Sequence, residues 1–288
     1  MVAEAVDGTG GAESENMRTA LVTGASSGIG KETARKLLER GYTVYAVARR
    51  VDRMADLEKL GAVTLGMDIT RDADVRSVVD RVTAEHGGVD VLVNNAGFGL
   101  YGAIEDTTVD DARYQFEVNL FGLARLTQLL LPHMRERGRG KIVNISSIGG
   151  KVYTPLGGWY HATKHALEGW SDTLRLEVSP FGVDVIVIEP GVIETEFGDV
   201  LTEPMLRRSG SSAYAGLARR VAAASRANYA PGKGTSAARL AEVIVGAVAA
   251  RRPRTRYVAG RYARPILTLR RWLSDRAFDR LVMRAAGG

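Results

Sequence analysis

The chain holds 288 residues, 45% of them hydrophobic, 25% charged and none cysteine. That suffices for one large buried core and excludes disulfides, thiolate metal sites and thiol nucleophiles. The net charge of +6 is unevenly placed, with four acids and no base in residues 1–16 and eleven arginines against Asp275 and Asp279 in residues 251–288, so the basic balance belongs to a tail and does not point to nucleic acid.

In chain order, residues 1–16 (MVAEAVDGTGGAESEN) are acidic, glycine-rich and aperiodic and read as a disordered extension, with Met17 a candidate alternative start. No signal-peptide pattern opens the chain and no apolar run reaches the roughly 18 residues of a membrane span, so a cytoplasmic location is expected. TALVTG from Thr19 reads as a buried strand. Ile29, Thr33, Ala34, Leu37 and Leu38 then mark a helical face that stops at Gly41. TVYAVA and AVTLGM are the second and third strands. A helix with Val75, Val78, Val79 and Val82 leads to a fourth, VDVLVNNAG. KIVNISS, a helix from Tyr160 to Leu176, and VDVIVIEPG complete the pattern. Strands apolar on both faces, alternating with amphipathic helices, predict a single α/β domain over residues 17–260: a doubly wound, Rossmann-type parallel sheet with helices on both faces. Residues 198–235, with several Gly, Ser and Ala and one helix-like patch after a strand end, are expected to be a mobile substrate-binding loop region.

TGASSGIG sets Gly24, Gly28 and Gly30 between the first strand and the first helix. Backbone without a Cβ approaches a pyrophosphate closely, and the helix N-terminus offers it free N–H groups, so the turn reads as a dinucleotide site. Ordinary turns also use glycine; the place between strand and helix is what favours the nucleotide. The second strand runs into Arg49 and Arg50 where an NAD site carries an acid. Arginines there suit a 2′-phosphate, so NADP is expected; two solvated arginines with Asp52 on the ribose would instead admit NAD.

Tyr160 and Lys164 are four apart on a helix, hence on one face. An arbitrary pair at that spacing packs on one side and is solvated on the other. Here it follows a strand ending in NISS, and the ammonium, with the positive nicotinamide of an oxidised cofactor, is expected to lower the phenol's pKa so that it can act as acid and base. Ser146 and Ser147 point to opposite faces if the strand continues, so only one can serve. His161 and His165 share the helix at metal-ligand spacing but lack an acid pattern; packing is expected and no metal.

Five segments, in order and over about residues 17–260, resemble the motifs of the short-chain dehydrogenase/reductase family: the glycine turn, NNAG at residues 94–97, Asn119 in VNLFG, YHATK at residues 160–164 thirteen positions after Ser147, and PGVIET at residues 190–195. The resemblance implies hydride transfer between a nicotinamide and a carbonyl or alcohol carbon. In it, Tyr160 is the general acid/base, Lys164 lowers its pKa and holds the ribose, Ser147 bonds the substrate oxygen, and Asn119 fixes a relaying water. It also implies cofactor contacts from Gly24, Ser26, Ser27, Gly28, Ile29, Gly30, Asp68 (at the adenine), Ile69, Asn95, Ala96, Gly97, Pro190, Gly191, Val192, Ile193 and Thr195, beside Arg49, Arg50, Tyr160 and Lys164.

The loops look most like the branch holding hydroxysteroid and retinol dehydrogenases, which implies a hydrophobic alcohol or ketone in a pocket of Phe98, Leu100, Tyr101, Val152, Tyr153, Leu156 and Trp159. A 3-oxoacyl thioester reductase is an alternative, as is a non-catalytic dinucleotide sensor, against which the four filled catalytic positions speak. A homodimer or homotetramer built on long helices is expected. Residues 261–288, with seven arginines among apolar residues, form a basic amphipathic segment that can cover the cleft, pack on a partner subunit or lie on an anionic membrane.

Overall fold

The computed structural model describes residues 18–230 and 232–287. The acidic extension of residues 1–16 and Met17 lie outside them. From Thr19 the elements run β1 (Thr19–Thr23), α1 (Gly28–Glu39), β2 (Thr43–Ala48), α2 (Ala55–Lys59), β3 (Val63–Gly66), α3 (Asp72–His86), β4 (Val91–Asn94), α4 (Val109–Phe116), α5 (Gly122–Glu136) and β5 (Gly140–Ile145). There follow α6 (Gly158–Val178), β6 (Val183–Pro190), β7 (Ile193–Glu194), α7 (Phe197–Ser209), α8 (Ala215–Tyr229), β8 (Thr235–Ser236), α9 (Ala237–Ala249), β9 (Arg256–Ala259), α10 (Ala263–Trp272) and α11 (Asp275–Ala285).

The main sheet is parallel throughout, in the order β3-β2-β1-β4-β5-β6-β9. Every residue of β1 and β4 is buried, because helices cover both faces. On one face Ala20, Val22, Val44 and Ala46 pack against Leu37 of α1 and Leu240 and Ile244 of α9. On the other, Leu21, Tyr45 and Val47 meet Val75 and Val79 of α3, Leu126 and Leu130 of α5 and Leu174 of α6. The strand order reverses between β1 and β4, which opens a crevice at the strands' C-terminal ends.

Two expectations change. The segment foreseen as a substrate loop, residues 198–235, is largely the helix pair α7 and α8, whose apolar residues Leu201, Met205, Ala218, Val221 and Ala222 join one buried cluster. Alanine is a strong helix former, and here the pair has an apolar face to bury. The C-terminal segment is two helices, parted where Leu273 turns extended and Ser274 starts α11. A seventh strand, β9, escaped the sequence reading because RYVA is only half-buried and follows a run of arginines.

Candidate functional site

The crevice is a cleft of about 430 Å³. Its floor is the turn after β1. Gly24 and Gly28 take positive φ (67° and 56°), which side-chain-bearing residues rarely adopt. A Cβ on Gly24 would stand 2.9 Å from the Asn95 amide nitrogen, and one on Gly28 3.1 Å from Thr195 Cγ2. Asn95, just past β4, holds this turn: its Nδ2 donates to Thr23 O at 2.9 Å, while its own N–H and that of Ala96 donate to Thr23 Oγ1. The N-terminus of α1 has no side-chain cap, so its N–H groups face the cleft ready for an anion. At the far end stand Arg49 and Arg50. Arg49 donates to the Tyr114 hydroxyl at 3.2 Å, and Arg50 lies 3.8 Å from Glu196.

Of the residues expected at the cofactor, Gly24, Ser26, Ser27, Gly28, Ile29, Arg49, Arg50, Asp68, Ile69, Asn95, Ala96, Gly97, Tyr160, Lys164, Pro190, Gly191, Ile193 and Thr195 line the cleft. Gly30 and Val192 do not. Gly30 lets α1 close on its turn, since a Cβ there would meet Asn95 Nδ2 at 2.4 Å and Gly24 O at 2.5 Å. Val192 pairs through its backbone with Arg261 O and the Thr235 N–H. Asp68 accepts from the Thr70 N–H and hydroxyl, which fixes its carboxylate at the rim.

The reacting end is built on α6. Tyr160 and Lys164 lie on the helix's buried stripe with Leu167, Ser171, Leu174 and Val178. Lys164 Nζ donates to Ile145 O at 2.8 Å, at the end of β5. Burial pushes this lysine down to about 8, and Glu168 one turn on opposes the shift. Burial pushes the Tyr160 phenol up from its ordinary value, and the hydrogen bond with Ser147 opposes that. In the protein alone, desolvation of the phenolate outweighs the help it receives; the expected lowering draws also on the charge of an oxidised nicotinamide.

Ser147 sits where β5 gives way to a short turn (Ile148–Gly150), and its Oγ accepts the Gly149 N–H at 2.9 Å, leaving its proton free to donate. Ser146 is buried, with its Oγ unpartnered and packed beneath Gly150. The strand ends at Ile145, before both serines, and both border the cleft; what distinguishes them is the burial of the Ser146 hydroxyl.

Asn119 lies behind the cleft wall, in a one-turn π bulge (Glu117–Phe121) between α4 and α5. Its Oδ1 accepts from the Phe98 N–H, and its Nδ2 donates to Phe98 O at 3.0 Å and Thr163 Oγ1 at 3.1 Å. Its amide thereby pins Phe98 and α6, with one lone pair of Oδ1 left over. His161 is buried: Nε2 accepts from the Thr154 N–H, so Nδ1 carries the proton and donates to Gly149 O, both at 3.0 Å. His165 Nδ1 bonds His161 O.

The substrate wall differs from the expected set. Phe98 lines the cleft, and Tyr101 packs on Tyr160 with ring centroids 5.8 Å apart. Leu100, Val152 and Leu156 are buried behind it. Trp159 turns away to Phe116, and Tyr153 packs on Phe278 of α11. Phe197, Val200 and Tyr229 take their place, with Phe197 5.7 Å from Tyr160. The one signal for them is position: Phe197 is two residues past Thr195, and Tyr229 lies in the stretch read as a substrate loop.

Residues 18–205 match the family described as short chain dehydrogenase. A 3-ketodihydrosphingosine reductase of Bacteroides thetaiotaomicron is 44% identical over 62% of this chain and 65% of its own length. An NADPH-dependent 3-dehydrocapnine reductase of Ornithobacterium rhinotracheale is 40% identical over 62% and 67%. The chain spans just under two-thirds of the first curated relatives it matches. Among solved structures, a short-chain dehydrogenase of Streptomyces avermitilis is 37% identical, with TM-score 0.75 over 88% of this chain and 92% of that one. A serine dehydrogenase complexed with NADP+ (27%, TM-score 0.73, 84% and 94% covered) and a Burkholderia phymatum short-chain dehydrogenase/reductase in complex with NAD (25%, 0.74, 88% and 92%) share the architecture. With the glycine turn, the Ser147–Tyr160–Lys164 group and the sheet order all in place, the chain belongs to the short-chain dehydrogenase family.

Proposed function

We propose that this chain is an NADPH-preferring reductase that converts a ketone on a large apolar substrate to the secondary alcohol. The observation that carries this reading is the cleft itself, in which Ser147 and Tyr160 stand beside an apolar wall of Phe98, Phe197, Val200 and Tyr229. The Tyr160 phenol there is placed to give a proton to a carbonyl oxygen.

A nicotinamide dinucleotide bound along the cleft supplies the hydride. The β1–α1 turn fits its pyrophosphate, since a Cβ on Gly24 or Gly28 would crowd that turn, and Asp68 and Ile69 border the adenine end. Ser147 donates a hydrogen bond to the substrate oxygen, and Tyr160 transfers its proton to the same atom as negative charge develops there. Lys164, cationic at neutral pH, stabilises the phenolate left behind and is placed to hold the ribose. Asn119 acts on the site by fixing Phe98 and α6. Phe98, Phe197, Val200 and Tyr229 give the cleft an apolar wall. Both curated relatives described above are reductases by name and one is NADPH-dependent, which supports the direction and the cofactor.

Oxidation of NADPH and of NADH over a panel of long-chain ketones, steroid ketones, 3-oxoacyl thioesters and small polar ketones tests the reading. Turnover of apolar ketones with NADPH is expected. Binding of NADPH without consumption of any ketone, or activity confined to small polar ones, would contradict it. The double variant Arg49→Ala/Arg50→Ala should raise KM for NADPH about tenfold or more while leaving KM for NADH within about twofold, since only the former carries the 2′-phosphate.

A further inference from the structure

α10 and α11 meet the rest of the chain on one side only. Inward, Ala263 is buried beside Gly191, and α10 packs on the Ile148–Gly150 turn that follows Ser147. Phe278 of α11 is 1% exposed against Tyr153, and Ala286 just beyond it joins the cluster of Tyr101, Leu156 and Tyr160. Outward, Leu269 and Trp272 form an apolar stripe on α10, with Tyr262 at its start; they are 42%, 79% and 41% exposed. An indole left four-fifths in water beside other apolar side chains is unusual for a helix that had every opportunity to turn it inward.

The charge around this stripe is predominantly positive. Arg261, Arg264, Arg271, Arg276, Arg280 and Arg284 are exposed, and among the described residues none lies within ion-pair distance of a carboxylate. The segment's two acids are exposed as well, each with a partner: Asp275 pairs with Arg270 at 2.8 Å, and Asp279 accepts from the hydroxyl of Tyr153, outside the segment, at 2.8 Å. Arg270 in turn lies over the rings of Tyr153 and Phe278, which locks α10 to α11.

From this juxtaposition we propose that the outer face of α10–α11 docks on an anionic lipid bilayer, with Trp272 and Leu269 at the level of the headgroups and the arginines on the lipid phosphates and carboxylates. Basic side chains flanking an exposed indole are what such an interface recognises. A second copy of this chain is a poor occupant, because a two-fold contact would set six arginines against the same six. Nucleic acid would use the arginines but has no call on a Leu269–Trp272 stripe. The docking goes beyond the reductase reading and does not need it. If both hold, the helices that touch the bilayer also brace Tyr153 and the Ser147 turn.

The test is flotation of the full chain with vesicles of phosphatidylcholine containing roughly 30% phosphatidylserine, against phosphatidylcholine alone, at low and high salt. Binding to the anionic vesicles at least tenfold above the neutral ones, and falling with salt, is expected. Arg264→Glu/Arg271→Glu should lose at least tenfold, Arg264→Lys/Arg271→Lys should keep binding, and Trp272→Ala should lose several-fold, all with unchanged thermal unfolding. Absence of flotation with anionic vesicles, equal flotation with neutral ones, or undiminished flotation of the double glutamate variant would overturn the proposal. So would a dimer that Leu269→Ala/Trp272→Ala turns to monomer while nothing floats, which would assign the face to a second copy. These readouts need no turnover, so their failure is separable from failure of the reductase reading.

Discussion

Burial acts on Tyr160 and Lys164 in opposite directions, raising the one and lowering the other, because in each case it disfavours the charged form. The sequence spacing places the two on one helix face, and that much is legible from Tyr-x-x-x-Lys alone. The surroundings of Tyr160 are not, since they include Tyr101, Phe197 and Tyr229, which lie far along the chain in either direction. His161 shows the same limit. Its spacing from His165 allows a ligand pair, whereas in the fold it ties Gly149 to Thr154 as a neutral ring whose pKa burial pushes down to about 4. Its folded value lies below its unfolded one near 6.5, so the contribution to stability is present above pH 6.5 and is lost as pH falls toward 4. Over that window the loss amounts to about 3 kcal/mol. Urea unfolding at about pH 7 and about pH 4.5 should show it in the native chain and not in His161→Gln, which loses stability at the higher pH instead.

The element that depends most on close approach is α1. Gly30 lies on its first turn against Asn95 and the Gly24 carbonyl, with no room for a methyl group. Gly30→Ala should cost about 1–3 kcal/mol in denaturant unfolding and weaken NADPH binding by shifting the turn. Gly169, mid-helix on α6 with open space around it, is the control: Gly169→Ala should stabilise by about 0.5–1 kcal/mol. The glycine turn and the six strands from β1 to β6 could be read from the sequence because β-branched runs and glycines carry their own local signal. The helices α7 and α8 show in the sequence as no more than one helix-like patch, because Gly, Ser and Pro204 dilute a pattern whose partners, Tyr101, Leu156 and Tyr160, are supplied by other elements. β9 is strand only by pairing with β6, from Arg256 opposite Val187 to Ala259 opposite Pro190.

At the scale of the whole molecule, β9 is held by a charge cluster that no local pattern announces. Arg256 bonds Glu168 Oε2 at 3.0 Å and Asp172 Oδ2 at 2.7 Å on α6, and its Nε lies 3.2 Å from Glu189 on β6, with Lys151 3.0 Å from Glu168. Glu168 and Glu189 are both buried, so Arg256→Ala leaves two carboxylates under-compensated and should cost about 3–5 kcal/mol; in a Glu168→Gln background the same change should cost less, by denaturant unfolding of the four chains. This edge, the reversed strand order and α6 together bring the nucleotide turn of β1 and the hydroxyls of Ser147 and Tyr160 to one end of the sheet. That convergence is the central claim, and Tyr160→Phe tests it most directly. With an apolar ketone that the native chain reduces, turnover should fall about 10²–10⁴-fold while the dissociation constant for NADPH changes little, because only the proton donor is removed. Turnover of the variant at the native rate would contradict the account.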